Sequence, residues 1–404
     1  MSEPRNESLY RVVVVGGSVG GLCAGIALRG IGCVVDVYER SPGPMTSRGA
    51  GIVVQDNLIA LLDAHGAPSL PMTRCAVWRY LLPDGGVQSE TPMPRRFTSW
   101  DAIHQTLRAT FPDEAYHLDA PVIDFTDDGK QVVVTFAKGA AASADLLVCA
   151  DGARSESRQR LLPDVRPRYA GYIAWRGTLE ESKAPAAVVN AFNDTFSFCD
   201  ARSGGHILCY FIPGENAAVD GGRRRLNWVW YVYADETTDL PVLLRDTSGE
   251  QRDSSVPPGH VPAELIDALR AAAGRELHPR FAQLVRATED PFIQAIQDVT
   301  VPRMVFGRAC LLGDAAFVVR PHTAGATAKA ASDASALAAA LTHTGLGPGL
   351  AHWERSQLEL GTRLTQYGVS LGGRFARAAH RVPMAPPMTT WSLNVVATAK
   401  QEGD

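Results

Sequence analysis

The stretch RVVVVGGSVGGL, residues 11–22, decides the fold of this 404-residue chain. A dinucleotide-binding turn places glycine at its first, third and sixth positions, and here those positions hold Gly16, Ser18 and Gly21. The β-branched run before the turn is typical of a strand that is buried on both faces of a parallel sheet. The apolar residues that follow recur at helical spacing and stop at two glycines. The order of strand, glycine-rich turn and helix predicts a phosphate-binding turn.

The next segment, CVVDVYER, completes this unit as a second strand with an acidic residue near its end. Glu39 lies 23 positions after Gly16, where such folds place a carboxylate that accepts hydrogen bonds from a ribose. The unpaired N–H groups and the macrodipole of the helix N-terminus favour an anion there. Ser18 adds only a small side chain, which narrows the approach to the turn without blocking it. The unit predicts dinucleotide binding and leaves open which dinucleotide binds.

Composition and charge set the broad class of the protein. A hydrophobic fraction of 46% with 20% charged residues is typical of a globular protein with a large core. The formal net charge of −4 gives no general attraction to nucleic acid or anionic membranes. The polar start MSEPRNESLY predicts no signal peptide, and no apolar run reaches about 18 residues. Seven scattered cysteines without a CxxC pair favour reduced thiols in a cytosolic protein, with no metal.

The rest of the chain alternates helical and strand-like patterns. Residues 58–66 predict a short helix, Asp84 lies in a predicted hairpin turn, and Ser99 is a predicted N-cap. Residues 166–234 are largely strand-like, whereas the polar stretch 237–262 predicts a loop or mobile linker. The predicted domains are a discontinuous nucleotide-binding domain over 1–75, 98–165 and 288–345, a substrate domain over 76–97 and 166–287, and a helical C-terminal segment over 346–404.

Two later strand ends carry further turn motifs. CADGARSESR, residues 149–158, places Asp151 after a buried strand, and LLGDAAFVVRP, residues 311–321, does the same with Asp314. Each turn alone is an ordinary Asp-Gly or Gly-Asp turn. Together, however, the three motifs resemble those of the class A, single-component FAD-dependent aromatic hydroxylases: the glycine-rich turn, DGxxSxxR and GDAA…P. The resemblance extends over roughly residues 10–375.

The resemblance implies a fold and an activity. The fold is an α/β, Rossmann-like FAD-binding domain of the aromatic-hydroxylase type, with an inserted strand-rich substrate domain and a helical tail. The activity is a monooxygenase reaction: NADH or NADPH reduces non-covalent FAD, dioxygen adds at flavin C4a, and one oxygen atom goes to a small, electron-rich aromatic or heteroaromatic ring such as a dihydroxypyridine. The resemblance allows a homodimer and involves no nucleic acid or membrane.

The resemblance also assigns cofactor residues by position. Asp314 is expected at the ribityl or pyrophosphate side of FAD, and the turn from Pro321 to Ala328 at its pyrimidine edge. A helix N-terminus at that edge stabilises the negative charge of reduced flavin. The residues assigned to FAD are Gly16, Ser18, Val19, Gly21, Glu39, Arg40, Val53, Gln55, Asp151, Asp314, Pro321, Ala326, Thr327 and Ala328.

Some positions depart from the family pattern. Phe317 replaces the histidine that most members carry after GDAA, and Ala324, Ala326 and Ala328 replace glycines and an asparagine. Trp100 stands where many relatives have an arginine that pairs with the pyrophosphate. These departures affect individual phosphate contacts and not the choice of cofactor.

The candidate catalytic residues are His322, Tyr172 and Tyr210. His322 follows Pro321, and an imidazole there can accept a substrate proton near neutral pH. The alternative is a histidine that packs structurally. The aromatic strand residues Trp175, Trp228 and Trp230, like the two tyrosines, face either the cleft or the core, and core packing is favoured for Trp228 and Trp230. His206 and Arg176 are strand residues with the same two interpretations. Arg48 and the run Arg223 to Arg225 are candidates for attracting the phosphates of a nicotinamide cofactor, but a solvated hairpin tip is favoured for such a run.

Three other functions were weighed against ring hydroxylation. A plain NAD dehydrogenase uses only the first motif and leaves the other two unexplained. A flavin halogenase carries WxWxIP, whereas this chain has WVWYVY without the Ile-Pro. A flavoprotein oxidoreductase or a non-catalytic flavin-binding protein is the remaining alternative, since the three motifs only bind the cofactor.

Overall fold

The strands of the protein form three sheets. The computed structural model describes residues 9–43, 45 and 51–373, so Arg48 and residues 374–404 of the predicted C-terminal segment lie outside the described residues. In chain order the strands are β1 (Arg11–Val15), β2 (Val34–Tyr38), β3 (Gly51–Val53), β4 (Thr73–Leu81), β5 (Val87–Ser99), β6 (Tyr116–His117), β7 (Val122–Asp127), β8 (Val132–Phe136), β9 (Ala141–Ala144), β10 (Leu146–Cys149), β11 (Arg168–Glu180), β12 (Thr195–Asp200), β13 (His206–Ile212), β14 (Arg225–Tyr233), β15 (Ser255–Val256), β16 (Phe292–Asp298), β17 (Val305–Phe306) and β18 (Ala309–Leu311).

Helices connect and cover these strands. The α-helices are α1 (Val19–Gly30), α2 (Asp56–Ala64), α3 (Trp100–Thr110), α4 (Glu156–Leu161), α5 (Ala186–Phe192), α6 (Leu240–Leu243), α7 (Ala263–Glu276), α8 (Pro279–Ala287), α9 (Ala326–Thr344) and α10 (Leu346–Gly372). Short 3₁₀ turns lie at Asp113–Ala115, Glu181–Lys183, Glu215–Ala217, Gly313–Ala315 and Pro321–Thr323. The predicted N-cap Ser99 is confirmed, because its hydroxyl accepts a hydrogen bond from Ala102 N.

The first motif lies in a six-stranded sheet with the order β17-β18-β10-β1-β2-β6. Strand β1 is parallel to both neighbours, and Val14 lies opposite Val37 on one side and Val148 on the other. Residues 12–15 are all buried, which explains their continuous β-branched run. The predicted strand, turn, helix and second strand are therefore confirmed. The three motif turns follow β1, β10 and β18, so all three lie at the same edge of this sheet.

A nine-stranded sheet, ordered β15-β16-β11-β14-β13-β12-β4-β5-β3, forms the second layer. It contains the strand-like region predicted over residues 166–234. It also takes in Gly51–Val53 and Phe292–Asp298, two segments that the sequence predicts for the nucleotide-binding domain. The domain boundaries stay a prediction. Strands β7, β8 and β9 form a separate three-stranded sheet.

The prediction of a loop or linker over 237–262 is wrong in part. This segment contains α6 and the strand β15, which pairs with β16. The carboxylate of Asp246 is almost fully buried and accepts hydrogen bonds from Ser248 N, Glu250 N and the Arg252 guanidinium. Pro and Gly composition indicated irregular backbone, but this local carboxylate network orders residues 246–252, and the pairing of β15 with β16 joins the segment to the sheet.

The cysteines agree with the prediction of reduced thiols made from composition. All seven cysteines are buried and unpaired, as expected for reduced core thiols. Within residues 9–43, 45 and 51–373, no helix is both long enough and apolar enough to cross a bilayer.

Candidate active site

A cavity of about 1800 Å³ lies where the motif turns face the large sheet. Ser18, Gly152 and Asp314 line it from the three turns, and Arg176 and Tyr231 line it from strands β11 and β14. A pocket for one drug-sized ligand holds roughly 300–1,000 Å³. This cavity therefore has room for a dinucleotide together with a second molecule.

A smaller cavity of about 310 Å³ adjoins the large one at the first motif. Gly16, Glu39 and Asp151 line the smaller cavity, and Ser18 and Arg40 line both. The structure thus brings most of the residues assigned to FAD to two adjoining cavities. Gly21 and Ala328 are buried behind these surfaces.

The glycines of the first motif are required by close packing. Gly16 has a φ of +101°, and a Cβ there would lie 2.5 Å from the carbonyl oxygen of Ala150. A Cβ at Gly21 would lie 1.8 Å from Gly16 O. Ser18 stands in the N-cap position of α1, but its side chain makes no capping hydrogen bond. The turn can therefore lie against the next strand end, and the N–H groups of the first turn of α1 receive no hydrogen bond acceptor from Ser18.

Glu39 stabilises the first turn from within. Its carboxylate accepts hydrogen bonds from Gly17 N at 2.8 Å and from Ser41 N at 2.9 Å. Glu39 also lines the smaller cavity. The predicted ribose contact is compatible with this geometry.

Arg158 connects the second motif to the third. Its guanidinium is almost fully buried and donates to the carbonyl oxygens of Ala153 at 2.7 Å and Ala315 at 3.1 Å. Desolvation lowers the pKa of Arg158, yet the group makes no ion pair within the described residues. Arg158 is the arginine of the DGxxSxxR motif, and the motif alone predicts no specific contact for it. The structure gives it a role, because its hydrogen bonds fix two motif turns relative to each other.

A buried ion pair supports the third motif from helix α9. Lys329 Nζ donates to Asp333 Oδ2 at 2.6 Å, and Gly313 N donates to the same oxygen at 2.9 Å. Both side chains are almost completely buried. Burial raises the pKa of neighbouring Asp314 to about 6, and the charge of Lys329 opposes that rise. Sequence reasoning missed this pair; a Lys and an Asp four residues apart in an alanine-rich helix were its signal.

The N-terminus of α9 faces the large cavity. Ala324 adopts a left-handed conformation with a φ of +51°, Gly325 is the N-cap, and the first turn contains no acidic residue. Pro321, Ala326 and Thr327 line the cavity. A helix start of this kind offers unpaired N–H groups to an anion.

His322 lines the same end of the cavity, and Tyr172 lies behind it. Tyr172 Oη and His322 Nε2 are 2.8 Å apart, and Tyr172 is fully buried outside the cavity lining. Arg320 Nη1 donates to Tyr172 Oη at 3.5 Å and pairs with Asp298 through bonds of 2.9 Å and 2.6 Å. A Cβ at Gly372 of α10 would lie 2.4 Å from Tyr172 Oη, so only glycine lets this helix pack there.

The surrounding titratable groups are neutral. Desolvation lowers the pKa of His322 well below its usual value and the pKa of His206 to about 3. Burial raises the pKa of Tyr231 to about 12 and that of Tyr210 further. Tyr210 lines the cavity and stacks on Phe97 with ring centroids 4.2 Å apart. This end of the cavity therefore offers uncharged hydrogen-bonding groups.

Arg176 is a cation at this end without a carboxylate partner in the described chain, whereas Arg320 is paired with Asp298. Arg176 Nη1 donates to Gln294 Oε1 at 2.8 Å, and its buried Nε has no partner within the described residues. No carboxylate of the described chain lies within salt-bridge distance of it. Its charge lowers the pKa of both Tyr210 and Tyr231 in part, which shows that it lies close to them.

Several residues for which the sequence left both a ligand role and a structural role possible are structural. Trp175, Trp228 and Trp230 lie in the core beneath the large sheet, as favoured for the last two. Arg224 pairs with buried Glu181 at 2.7 Å, and Arg225 lies near two carboxylates.

Both cavities suit a flavin dinucleotide. The close-packed glycine turn and the uncapped start of α1 fit a pyrophosphate, and the start of α9 fits the anionic edge of a reduced flavin. A family model described as FAD binding domain-like matches residues 169–298. The solved structure of Klebsiella pneumoniae HpxO with FAD and uric acid has the same fold, with a TM-score of 0.68, 23% identity, and coverage of 90% of this chain and 87% of that one.

Two comparisons establish the family. The chain is 38% identical over 356 residues to the 2,6-dihydroxypyridine 3-monooxygenase of Paenarthrobacter nicotinovorans, covering 87% of this chain and 88% of that protein. The solved structure of 2,6-dihydroxypyridine-3-hydroxylase from Arthrobacter nicotinovorans superimposes with a TM-score of 0.86 at 35% identity, covering 94% and 96% of the two chains. The 6-hydroxynicotinate 3-monooxygenase of Pseudomonas fluorescens is 27% identical, covering 83% of each chain.

The chain therefore belongs to the FAD-dependent aromatic-ring monooxygenases. It is an enzyme that uses FAD, NAD(P)H and dioxygen to hydroxylate an electron-rich ring. The dehydrogenase, halogenase and non-catalytic alternatives are set aside.

Proposed function

We propose that this enzyme hydroxylates a dihydroxypyridine, with 2,6-dihydroxypyridine as its first candidate substrate. The observation that carries the proposal is Arg176, a cavity-lining guanidinium with no carboxylate partner in the described chain, surrounded by neutral histidines and tyrosines. Such a site suits a small ring that carries acidic hydroxyl groups and binds as an anion. The 38% identical relative, named for this substrate, supports the same class.

Loss of a ring hydroxyl proton is central to this chemistry. FAD, when bound, activates dioxygen for transfer to the ring. The anionic ring is the better nucleophile, because its oxygen pushes electron density into the carbon that reacts. Arg176 stabilises that anion by charge, and the neutral groups orient it by hydrogen bonds.

The hydrogen bonds around His322 support a donor role for this residue. Arg320 can only donate to the Tyr172 oxygen. We propose that Tyr172 in turn donates its phenolic proton to His322 Nε2, which lies 2.8 Å from Tyr172 Oη. A neutral imidazole that accepts at Nε2 carries its proton on Nδ1. We propose that His322 donates from Nδ1 to a ring oxygen of the substrate, with Tyr172 and Arg320 as positioning residues. The proton-acceptor role predicted from the sequence is the alternative.

The residues assigned to FAD remain part of the proposal. The adenosine and pyrophosphate are placed at Ser18, Glu39 and Arg40, and the pyrimidine edge at Ala326 and Thr327. Support comes from the two adjoining cavities that these residues line. Tyr210 is proposed as a further substrate contact.

Location and assembly are also proposed and not established by the fold. Seven reduced thiols favour the cytosol. A homodimer with no membrane or nucleic-acid partner is the expected form, and light scattering of the purified protein tests it.

Oxygen uptake tests the substrate class. Purified enzyme with FAD and NADH or NADPH is given 2,6-dihydroxypyridine, and uptake is compared with formation of a product one oxygen atom heavier. We expect a yellow protein, strong stimulation by the substrate, and one dioxygen consumed per product. A protein that oxygenates an aliphatic ketone and no ring compound would contradict the proposal.

A further inference from the structure

Three arginines on neighbouring strands line the large cavity. Arg74 lies on β4, Arg95 and Arg96 lie on β5, and all three line the cavity. We call these three residues the arginine cluster. The strand register places Arg74 directly opposite Arg96 and Cys75 opposite Arg95. Like charges directly opposite each other on paired strands destabilise a sheet, so the arrangement needs a reason outside the sheet.

The arginine cluster has few carboxylate partners. Arg96 donates to Asp56 at 2.8 Å, and the Asp56 side chain is 81% exposed. Arg95 donates to the carbonyl oxygen of Pro94 at 3.0 Å, and Arg74 makes no ion pair within the described residues. By contrast, Arg320, which lines the same cavity, is fully paired with Asp298. Arg74 and Arg95 therefore carry positive charge that no carboxylate of the described residues pairs with, in a chain with a net charge of −4.

Aromatic side chains on β4 and β12 line the same cavity. Trp78 and Tyr80 follow Arg74 along β4, and Phe198 lies on the neighbouring strand β12. The Trp78 and Phe198 rings stack with centroids 4.6 Å apart and an angle of 9° between planes. All three line the cavity, and the buried Trp78 Nε1 has no acceptor within the described residues. We call these three residues the aromatic face.

We propose that the arginine cluster binds the phosphates of the reduced nicotinamide dinucleotide and that the aromatic face receives one of its rings. Guanidinium groups bind phosphate oxygens through paired, charge-assisted hydrogen bonds, and flat aromatic side chains stack on heterocycles. The enzyme consumes NAD(P)H, and the residues assigned to the FAD adenosine and pyrophosphate lie elsewhere, after β1 and β2. The inference rests on that proposed placement of FAD.

Nucleotide binding and flavin reduction test the inference without dioxygen. Arg74→Gln, Arg95→Gln and the double variant are compared with Arg79→Gln, a control on β4 whose arginine donates to Glu90 and to Ala191 O. Flavin reduction is followed anaerobically at rising NADH or NADPH, and ADP-ribose binding is measured by calorimetry. Each single variant is expected to raise the half-saturating nucleotide concentration about tenfold, or about 1.4 kcal/mol. Its limiting rate and FAD content stay unchanged, and Arg74→Lys recovers most of the loss.

Two results would overturn the inference. One is a half-saturating concentration that stays within about twofold of the unmodified enzyme in the double variant, with FAD retained. The other is loss of FAD without a change in nucleotide affinity, which would assign the arginine cluster to FAD. Failure to hydroxylate dihydroxypyridine leaves this test intact, because flavin reduction is measured without the ring reaction.

Discussion

The two ends of the large cavity use ionisable side chains in opposite ways. At the motif turns, full charges are buried and bonded to the backbone, as with Arg158 on Ala315 O and Asp333 on Gly313 N. At the His322 end, histidines and tyrosines are held neutral by desolvation. Buried charge fixes the position of the turns around a cofactor. At the other end Arg320 is paired with Asp298, and the unpaired charge is that of Arg176, which we propose to bind the anionic ring.

The difference has an electrostatic reason. A charge without water is stable only with a partner of fixed geometry, and such a partner makes the site rigid. A neutral donor costs less to bury and strengthens its hydrogen bond as negative charge develops on the substrate. The motif end is therefore expected to respond to substitutions through stability, and the His322 end through rate.

The largest effect is expected at the buried ion pair. Lys329→Met leaves the Asp333 carboxylate buried and unpaired, which costs about 3–5 kcal/mol of unfolding free energy. Urea denaturation of the protein measures this loss. The double variant Lys329→Met/Asp333→Asn is expected to recover most of it, because the amide oxygen still accepts from Gly313 N. A single variant as stable as the unmodified protein would remove the distinction between the two ends.

The next effect is expected in rate, at His322. His322→Ala should lower the hydroxylation rate about 10²–10³-fold, as for loss of one positioned donor, and divert oxygen to hydrogen peroxide. FAD content and reduction by NADH should persist, because the proposed flavin contacts of this turn are backbone groups.

The tautomer separates the two roles of His322. The amide nitrogen of Asn stands near the place of Nδ1 and that of Gln near Nε2, so His322→Asn should retain far more activity than His322→Gln. Desolvation lowers the pKa of His322 well below its usual value, so His322 should contribute no ionisation to the rate profile around neutral pH. Loss of activity in both variants, together with loss of one ionisation from the profile, would instead identify a proton acceptor. Nitrogen-15 NMR of labelled holoenzyme reads the tautomer directly.

The sequence predicted the features that depend on short-range patterns. The glycine turn could be predicted because Gly16 has a positive φ and a Cβ at Gly21 would meet Gly16 O, and both constraints lie within one βα unit. The second and third motifs could be placed because each follows a short, fully buried strand. In all three cases the local sequence contains the physical cause of the structure.

Contacts between distant segments could not be predicted in this way. Tyr172 and His322 lie 150 positions apart, and nothing in the sequence around either residue indicates that the Tyr172 phenol and the His322 imidazole are hydrogen-bonded. The link from Arg158 to Ala315 spans 157 positions. The buried state of Lys329 depends on the packing of α9, whereas a lysine in a helix is usually exposed. The contacts at the His322 end could therefore be identified only from the tertiary structure.

Asp314 allows a test of the motif end through the pH dependence of stability. Its pKa is raised to about 6, so the folded protein binds its proton more tightly than the unfolded chain does. The destabilisation of the folded protein by the ionised Asp314 carboxylate is absent below about pH 4 and complete above about pH 6. Because Asp314 is partly exposed to the cavity, Asp314→Asn should stabilise the FAD-free protein by about 1–3 kcal/mol at pH 7 and by nothing near pH 4. Denaturation at the two pH values measures this difference.

Removal of the Asp314 carboxylate should weaken FAD retention, although it should stabilise the FAD-free protein. Asp314→Ala is expected to lose more FAD in gel filtration than Glu39→Ala, because Glu39 lies at the adenosine end, where more alternative contacts exist. Equal retention in the two variants would contradict the placement of Asp314 near the flavin.

The smallest expected effect concerns Arg176 and the charge of the ring. Arg176→Gln removes the cation but keeps a hydrogen-bond donor, so the dissociation constant of 2,6-dihydroxypyridine should rise about tenfold where the ring is anionic. At a pH low enough to protonate the ring the two proteins should bind it alike, because a neutral ring gains little from the charge. Arg176→Lys keeps the charge and serves as the matched control. Binding is followed by the change in flavin absorbance without NADH, so it is separate from the rate. Equal affinity of Arg176→Gln and the unmodified enzyme at every pH would mean that the ring binds neutral, and the neutral groups alone would then select the substrate.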